Sequence, residues 1–301
     1  MSVKFKNFSL RKLKISDYYE FRKLFYSCFK KKISFEFYRW RYFSNKFSFC
    51  YGAFEDYKLI ANVGMVSIQK SKNLNDIIYS RHSSMVLKNY RGFGIFSKLL
   101  KVVKKKFLKN ISLVFMWPNK KNFSNFDISK KNILEKKYYL YKTRKISNLN
   151  KEIKNHSISE MLVYEKFIKN KKSPFFKDLN YFKKRYLSYC KNEYFLNKFV
   201  IGNQVSFFIL KRNKDKSDVN NVILDHFGSK KIYNKHLSYL IKNLDKLIFL
   251  TKTRRNNSQF QLINSLNVKI GFMKKINMKK KKNFFKDKEI YLGDTDIFIS
   301  I

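Results

Sequence analysis

The stretch that decides the fold is Ser83-Ser84-Met85-Val86-Leu87-Lys88-Asn89-Tyr90-Arg91-Gly92-Phe93-Gly94-Ile95-Phe96-Ser97-Lys98-Leu99-Leu100. Met85, Val86 and Leu87 form an apolar run that stops at Lys88 and Asn89, poor strand formers, ahead of an Arg-Gly-Xaa-Gly turn. Ile95, Phe96, Leu99, Leu100 and Val103 then recur at helical spacing, which predicts a strand, a basic glycine turn and an amphipathic helix beginning near Gly94. The first turn of a helix has backbone N–H groups without intrahelical acceptors, and the aligned peptide dipoles add partial positive charge. Glycine at 92 and 94 removes the Cβ atoms that would keep an anion off the backbone, and Arg91 adds a guanidinium. A pyrophosphate is the expected occupant. Other phosphate motifs do not fit: a dinucleotide fingerprint needs a third glycine where Ser97 stands and an acidic residue about twenty positions later. There is also no GxxxxGK[ST] segment.

Outward from this turn the pattern alternates helix and strand. Residues 8–13 read as a first strand, Ser16 or Asp17 as the cap of a helix running to about Phe29, and Leu24, Phe25 and Phe29 as part of its inner face. A second helical stretch covers 35–43, followed by a hairpin turning at 55–58. The loop helix ends near Phe107, and 111–117 reads as a buried strand. After residue 150 a similar order recurs. Residues 181–186 echo 38–42, and each is followed by a hairpin strand, near 48–54 and 198–202. Strands at 205–211 and 222–227, a helix at 233–244, a strand at 246–251 and a helical stretch at 259–266 complete the half. No RGxG turn exists there. It reads as a diverged second copy or as a plain α/β extension.

The motifs resemble the GNAT superfamily of N-acetyltransferases, whose acetyl-CoA loop has the pattern [Q/R]-x-x-G-x-[G/A] between a strand and a helix. Arg91 and Gly94 match, while Phe96 replaces the final small residue. Tyr90 to Phe96 fits the form Y-R-G-x-G-[I/L]-F of one subset throughout. That subset also has an early W-[KR]-Y segment, matched by Trp40-Arg41-Tyr42, and a hairpin, matched by Tyr51-Gly52-Ala53-Phe54 with Ile60-Ala61-Asn62-Val63-Gly64. Its P-N-x-x-[NS] segment is matched by Pro118-Asn119-Lys120-Lys121-Asn122, and Ile270-Gly271-Phe272 resembles the ending of such a domain.

The resemblance implies an α/β fold with a GNAT-like mixed central sheet flanked by helices, in two GNAT-like halves. Residues 1–150 would be an acetyl-CoA-binding domain, and 151–301 a diverged domain without the cofactor loop. It implies acetyl-CoA as cosubstrate, held by Met85, Val86, Leu87, Arg91, Gly92, Phe93, Gly94, Ile95, Phe96, Asn119 and Asn122. The acceptor is expected to be a small-molecule amine, by analogy an amino sugar. The reaction needs proximity, a base for the ammonium proton and polarisation of the carbonyl. His82, on the cofactor strand, is the candidate base. The family often places a tyrosine acid seven residues after the motif asparagine, where this chain has Phe126. Tyr138 is the substitute candidate, beside Tyr139 and Tyr141; a packed strand aromatic is the plainer reading of all three. A water-relayed proton needs no visible base.

The formal charge of +46 in 301 residues would ordinarily point to nucleic acid or an anionic membrane surface. Lys outnumbers Arg about five to one, however, and residues with A/T-rich codons dominate, so coding bias accounts for most of the charge. A basic nucleic-acid-binding module and a Fem-type aminoacyl transferase are the competing readings; no specific nucleic acid is expected. Cys28, Cys50 and Cys190 are odd in number with no CxxC spacing, which predicts neither a disulfide framework nor a metal site. Reduced thiols in a cytoplasmic protein are the simplest expectation. The apolar runs at 111–117 and 205–210 are too short to span a bilayer, and the sequence gives no oligomeric state.

Overall fold

The structure is a computed structural model, which describes residues 8–70, 77–107, 111–116, 133–143, 155–168, 179–189, 193–215, 218–244, 246–251, 255 and 260–272. These fall into two compact units. One comprises the described residues of Met1–Leu134 with those of Lys269–Ile276; the other comprises those of Glu135–Val268.

The first unit contains β1 (Ser9–Lys12), α1 (Tyr18–Phe29), α2 (Phe35–Phe43), β2 (Phe49–Glu55), β3 (Lys58–Lys70), β4 (Ile77–Val86), α3 (Ile95–Phe107) and β5 (Ile111–Met116). Its strands run in the order β1-β2-β3-β4-β5, antiparallel except for the parallel pair β4-β5, and residues 269–272 pair antiparallel with the outer side of β5. Helices cover both faces, so the central strands read as nearly continuous apolar runs. Along β2, Phe49, Tyr51 and Ala53 pack on one side with Ile95, Leu99 and Val103 of α3. Cys50 and Phe54 pack on the other, with Phe21 and Leu24 of α1 and Tyr38 and Tyr42 of α2. Period-two alternation therefore divides one short strand between two cores.

The ends of α1 and α2 follow from local chemistry. At the close of α1, Lys30 adopts φ 58°, and its N–H donates to Tyr26 O at 2.8 Å. Ser34 caps α2, its Oγ accepting from Phe37 N at 3.1 Å. Asp17 stands at the start of α1 as the sequence suggests, but its carboxylate serves the preceding turn. It accepts from Lys14 N at 2.7 Å and pairs with Arg11 at 2.7 and 2.8 Å. The hydrogen bond from Arg11 is the main cause that holds this carboxyl below its ordinary range.

The second unit carries nearly all of β6 (Ile133–Thr143), followed by β7 (Asn155–Ser157), α4 (Glu165–Ile168), α5 (Leu179–Phe182), β8 (Tyr194–Ile201), β9 (Gln204–Asp215), β10 (Asp218–Gly228), α6 (Tyr233–Asn243), β11 (Leu247–Thr251) and most of β12 (Phe260–Phe272). Here the strand order is β6-β11-β10-β9-β8-β7. The helix expected at 259–266 is a strand, part of β12. Its apolar residues fit either period over so short a window, and Phe260 docks edge-on against Phe249 and Tyr141.

Both units contain the same succession. In the first, β2, β3 and β4 form an antiparallel meander, and α3 leads to β5, parallel to β4. In the second, β8, β9 and β10 form a meander, and α6 leads to β11, parallel to β10. The connections differ. Residues 87–94 join β4 to α3, while the connection from β10 to α6 spans only 229–232, half that length.

Candidate functional site

Strands β4 and β5 are paired from Ile77 with Ile111 to Ser80 with Phe115. Beyond Ser80, β4 continues to Val86 alongside β3, and among the described residues no strand pairs with its other edge. A cavity of about 660 Å³ occupies this gap. Arg81, Ser84, Met85 and Val86 line it from β4, Cys28 and Phe29 from the end of α1, and Tyr90, Arg91, Gly92 and Gly94 from the turn. Ile95, Phe96 and Ser97 close it with the first turn of α3.

The opening has a local cause. Asn62 pairs with Met85 and Gly64 with His82, so the single residue Val63 faces both Ser83 and Ser84. This extra residue is a β-bulge, which bends the strand and interrupts its ladder. Ser83 adopts φ 45°, a strained value for a residue with a Cβ. Two partners hold it: Tyr42 Oη lies 2.5 Å from its Oγ, and Asn62 Nδ2 donates to its carbonyl at 2.9 Å. Because of the bulge, His82 and Met85, three residues apart, both face α1 and α2, and Ser84 is delivered to the cavity.

At the other end of the cavity the chain turns sharply. Gly92 and Gly94 have φ values of 88° and 72°, and a Cβ built at either would meet nothing within 4 Å. Glycine is required by the backbone here, and the space outside it is open. The first helical bond runs from Lys98 N to Gly94 O at 2.9 Å, leaving the N–H groups of Ile95, Phe96 and Ser97 ahead of any intrahelical acceptor. Arg91 folds back on the strand end, its Nε donating to Val86 O at 3.0 Å. Tyr90 donates to the Glu55 carboxylate, tying the turn to the β2-β3 hairpin; that bond is the first cause of its raised phenol pKa. In the second unit β10 ends at Gly228, where an added Cβ would stand 2.5 Å from Val205 O.

Among the described residues that line the cavity there are two arginines and no carboxylate. The Arg81 guanidinium lies 5.8 Å from the Phe96 ring centroid, and burial lowers its pKa to about 10. It stays charged at neutral pH. The Cys28 thiol donates to Val86 O at 3.5 Å, and burial holds its pKa above the ordinary thiol value, so it stays protonated despite Arg91 nearby.

Of the residues expected to hold the cosubstrate, Met85, Val86, Arg91, Gly92, Gly94, Ile95 and Phe96 meet at the cavity. Leu87 lines a separate groove beside α1, and Phe93 is 42 % exposed on the turn. Asn119, Asn122 and Phe126 lie outside the described residues, as do Cys190 and the rest of the Pro118 segment. His82 is 7 % exposed and packs against Arg41, whose Nη2 stands 3.0 Å from its Nδ1. It is not part of the cavity lining. Tyr138 belongs to the second unit, on β6, and is 1 % exposed. Sequence reasoning missed Ser84, Arg81 and Cys28. Only the bulge brings Ser84 in, and no pattern in a single strand announces a bulge.

The second unit has its own polar cluster. Ser206 Oγ lies 2.9 Å from His226 Nε2 and 2.8 Å from His236 Nδ1, and His236 Nε2 lies 2.8 Å from Asn197 Oδ1. Ser206 and His236 are fully buried, which denies a substrate access to the hydroxyl. The network is structural.

This architecture is the GNAT fold. The chain superposes on a GCN5-related N-acetyltransferase from Anabaena variabilis with a TM-score of 0.62 at 8 % identity, covering 89 % of this chain and 73 % of that one. A putative acetyltransferase from Pyrococcus horikoshii gives 0.55 at 12 % identity over 90 % and 91 % of the two chains. Eis1 from Mycobacterium abscessus gives 0.54 at 8 % identity over 89 % and 74 %. No protein-family model matches the sequence, and neither does any curated protein. At such identities the likeness is one of fold. Among the described residues no helix is long and apolar enough to cross a membrane, and no group of His, Cys, Asp and Glu could hold a metal.

Proposed function

We propose that the protein is an acyltransferase that moves an acetyl group from acetyl-CoA to a small-molecule amine. The observation that carries this reading is the single cavity that joins the opened edge of β4 to the Arg91–Gly94 corner. An extended thioester arm fits an unpaired strand edge, and a diphosphate fits exposed amides at a helix start. The fold shared with solved acetyltransferases supports the same chemistry.

The roles follow from position. Backbone amides around Gly92, Gly94, Ile95, Phe96 and Ser97 hold the diphosphate, with the Arg91 guanidinium beside them. Met85 and Val86 line the path of the arm, and Leu87, Phe93, Asn119 and Asn122 remain donor-site residues by the resemblance alone. Ser84, at the bulge, hydrogen-bonds the thioester carbonyl. Acetyl-CoA supplies an activated carbonyl, so the protein has only to align the amine and remove its proton. His82, with a guanidinium 3.0 Å from its ring, is a positioning group for the bulge rather than the base, and the proton leaves through water. Tyr138 is a packed aromatic of the second unit. That unit is a diverged copy whose shortened corner no longer takes a cosubstrate. The cytoplasm is the proposed compartment, on the odd number of cysteines.

The test is thiol release from acetyl-CoA in the presence of amine acceptors. The reading requires turnover by the wild type and loss of at least tenfold in kcat/KM for Ser84→Ala. Turnover with no response to Ser84 would remove the bulge from the mechanism.

A further inference from the structure

A surface helix ordinarily turns polar residues to solvent, and α1 does so only in part. Phe21 and Leu24 are buried in the core, and at helical spacing the opposite face carries Tyr19, Arg22, Lys23, Tyr26 and Lys30, all exposed. Tyr19 is 70 % exposed and Tyr26 is 50 % exposed. Ile15 prolongs this line at one end of the helix and Phe29 at the other, and both are exposed. The aromatic surface continues to the start of α2, where exposed Phe35 stands edge-on to Tyr18, itself edge-on to Tyr19. Of the thirteen large hydrophobic side chains exposed among the described residues, these are five. Such a gathering marks a contact surface, whereas exposed apolar residues scattered singly do not.

The charges around the line share one sign. Arg22, Lys23, Lys30, Lys31 and Lys32 are exposed along it or just beyond its end. The one carboxylate of α1, Glu20, lies to the side, where Lys23 holds it at 2.7 Å and its other oxygen accepts from Leu59 N at 3.4 Å. Coding bias raises the supply of Lys, Tyr, Phe and Ile throughout the chain, but it does not sort them onto one exposed face. We infer that the outer face of α1 docks on an anionic lipid bilayer surface. Tyrosine rings settle at the level of the lipid headgroups with the phenol still in water, and lysine stems lie along apolar surface while the ammonium reaches phosphate. Each basic side chain near such a surface is worth roughly fivefold in partitioning. A nucleic acid fits this face less well. Single strands follow a basic groove and stack their bases on aromatic rings, whereas this face is a convex helix whose Ile15 offers neither a ring nor a charge. Phe29 belongs to the face and also lines the cavity, so docking sets the proposed donor site beside the lipid. The inference stands on the surface alone and does not depend on the acyltransferase reading.

Co-sedimentation tests it, with vesicles of equimolar phosphatidylglycerol and phosphatidylcholine set against vesicles of phosphatidylcholine alone, at about 0.15 M salt. The wild type should partition onto the anionic vesicles at least about tenfold more strongly. Tyr19→Ser combined with Tyr26→Ser leaves the charge unchanged and should weaken that binding by about tenfold or more. Arg22→Gln combined with Lys30→Gln should weaken it by about twenty-fivefold, whereas Lys101→Gln with Lys105→Gln, the same charge removed from exposed positions on α3, should cost less than about threefold. Circular dichroism shows that each variant is folded; where a double variant is not, Tyr26→Ser alone carries the test with a loss of about threefold. Equal losses from the two charge-removing pairs would assign the binding to the overall charge and overturn the inference. So would full binding by the folded tyrosine variant, or a wild type that ignores anionic vesicles. Polyuridylate binding that falls with the same tyrosines, in a protein that does not bind vesicles, would give the face to a nucleic acid instead.

Discussion

The phenol of Tyr42 meets the hydroxyl of Ser83 at 2.5 Å, where β4 carries its extra residue. A helix thereby braces the distortion that opens the sheet. The second unit contains a counterpart: Tyr186 donates to Asp225 Oδ2 at 2.9 Å, where the β9-β10 register shifts between Ile223 and Asp225. Tyr42 and Tyr186 are both fully buried, and burial raises both phenol pKa values, so each remains a hydrogen-bond partner at any physiological pH.

Tyr42→Phe removes that brace without changing the shape of the core. We expect a loss of about 1 kcal/mol in unfolding free energy, the net worth of one buried hydrogen bond. Acetyl-CoA affinity should fall by about tenfold, because Ser83 no longer holds its left-handed backbone and the strand edge is less preorganised. Denaturant titration and calorimetric binding on the same preparation check both; unchanged affinity would show that the bulge stands without Tyr42.

Cys28 lines the cavity, while Cys50 is fully buried against Tyr42 and Phe54. Saturating acetyl-CoA should therefore slow alkylation of Cys28 by at least several-fold. Peptide mass mapping after timed exposure to iodoacetamide reads this directly. The raised thiol pKa makes the unprotected reaction slow, so the assay belongs above pH 8.

His236 gives the second unit a pH dependence. Burial drives its pKa from the ordinary 6.5 down to about 3, and its ring is held neutral between Ser206 and Asn197. The unfolded chain binds a proton below pH 6.5 that the folded one does not, so stability is complete above that pH and declines as pH falls toward 3. Between pH 7.5 and pH 5 the loss from this group is about 2 kcal/mol. Urea midpoints at the two pH values should show it, and His236→Gln should flatten the slope. An equal slope in the variant would assign the dependence to other groups.

Much of the fold was legible because the loop stretch ties a strand, two glycines and a helix into one local pattern. Its helix is predicted to start near Gly94 and starts at Ile95; the helix at 35–43 has those bounds. Those features depend on neighbours in sequence. The bulge at Ser83 and Ser84 depends instead on Val63, Asn62 and Tyr42, which are distant in the chain and leave no periodicity. Hence Met85 and Val86 could be named as the strand edge while Ser84 and Arg81 could not. The segment at 259–266, expected to be helical, lies in the strand 260–272 for a related reason: strand pairing, seen with β5 at 269–272, is not recorded in the sequence of the segment.

The most direct test of the donor site is a calorimetric titration of acetyl-CoA into wild type and into Arg91→Ala combined with Gly94→Asp. The substitution puts a carboxylate where the helix amides await a diphosphate and removes the neighbouring guanidinium. The account predicts saturable one-site binding by the wild type and a loss of at least a hundredfold in the folded variant. Equal affinity in the two proteins, or no binding by either, would contradict it.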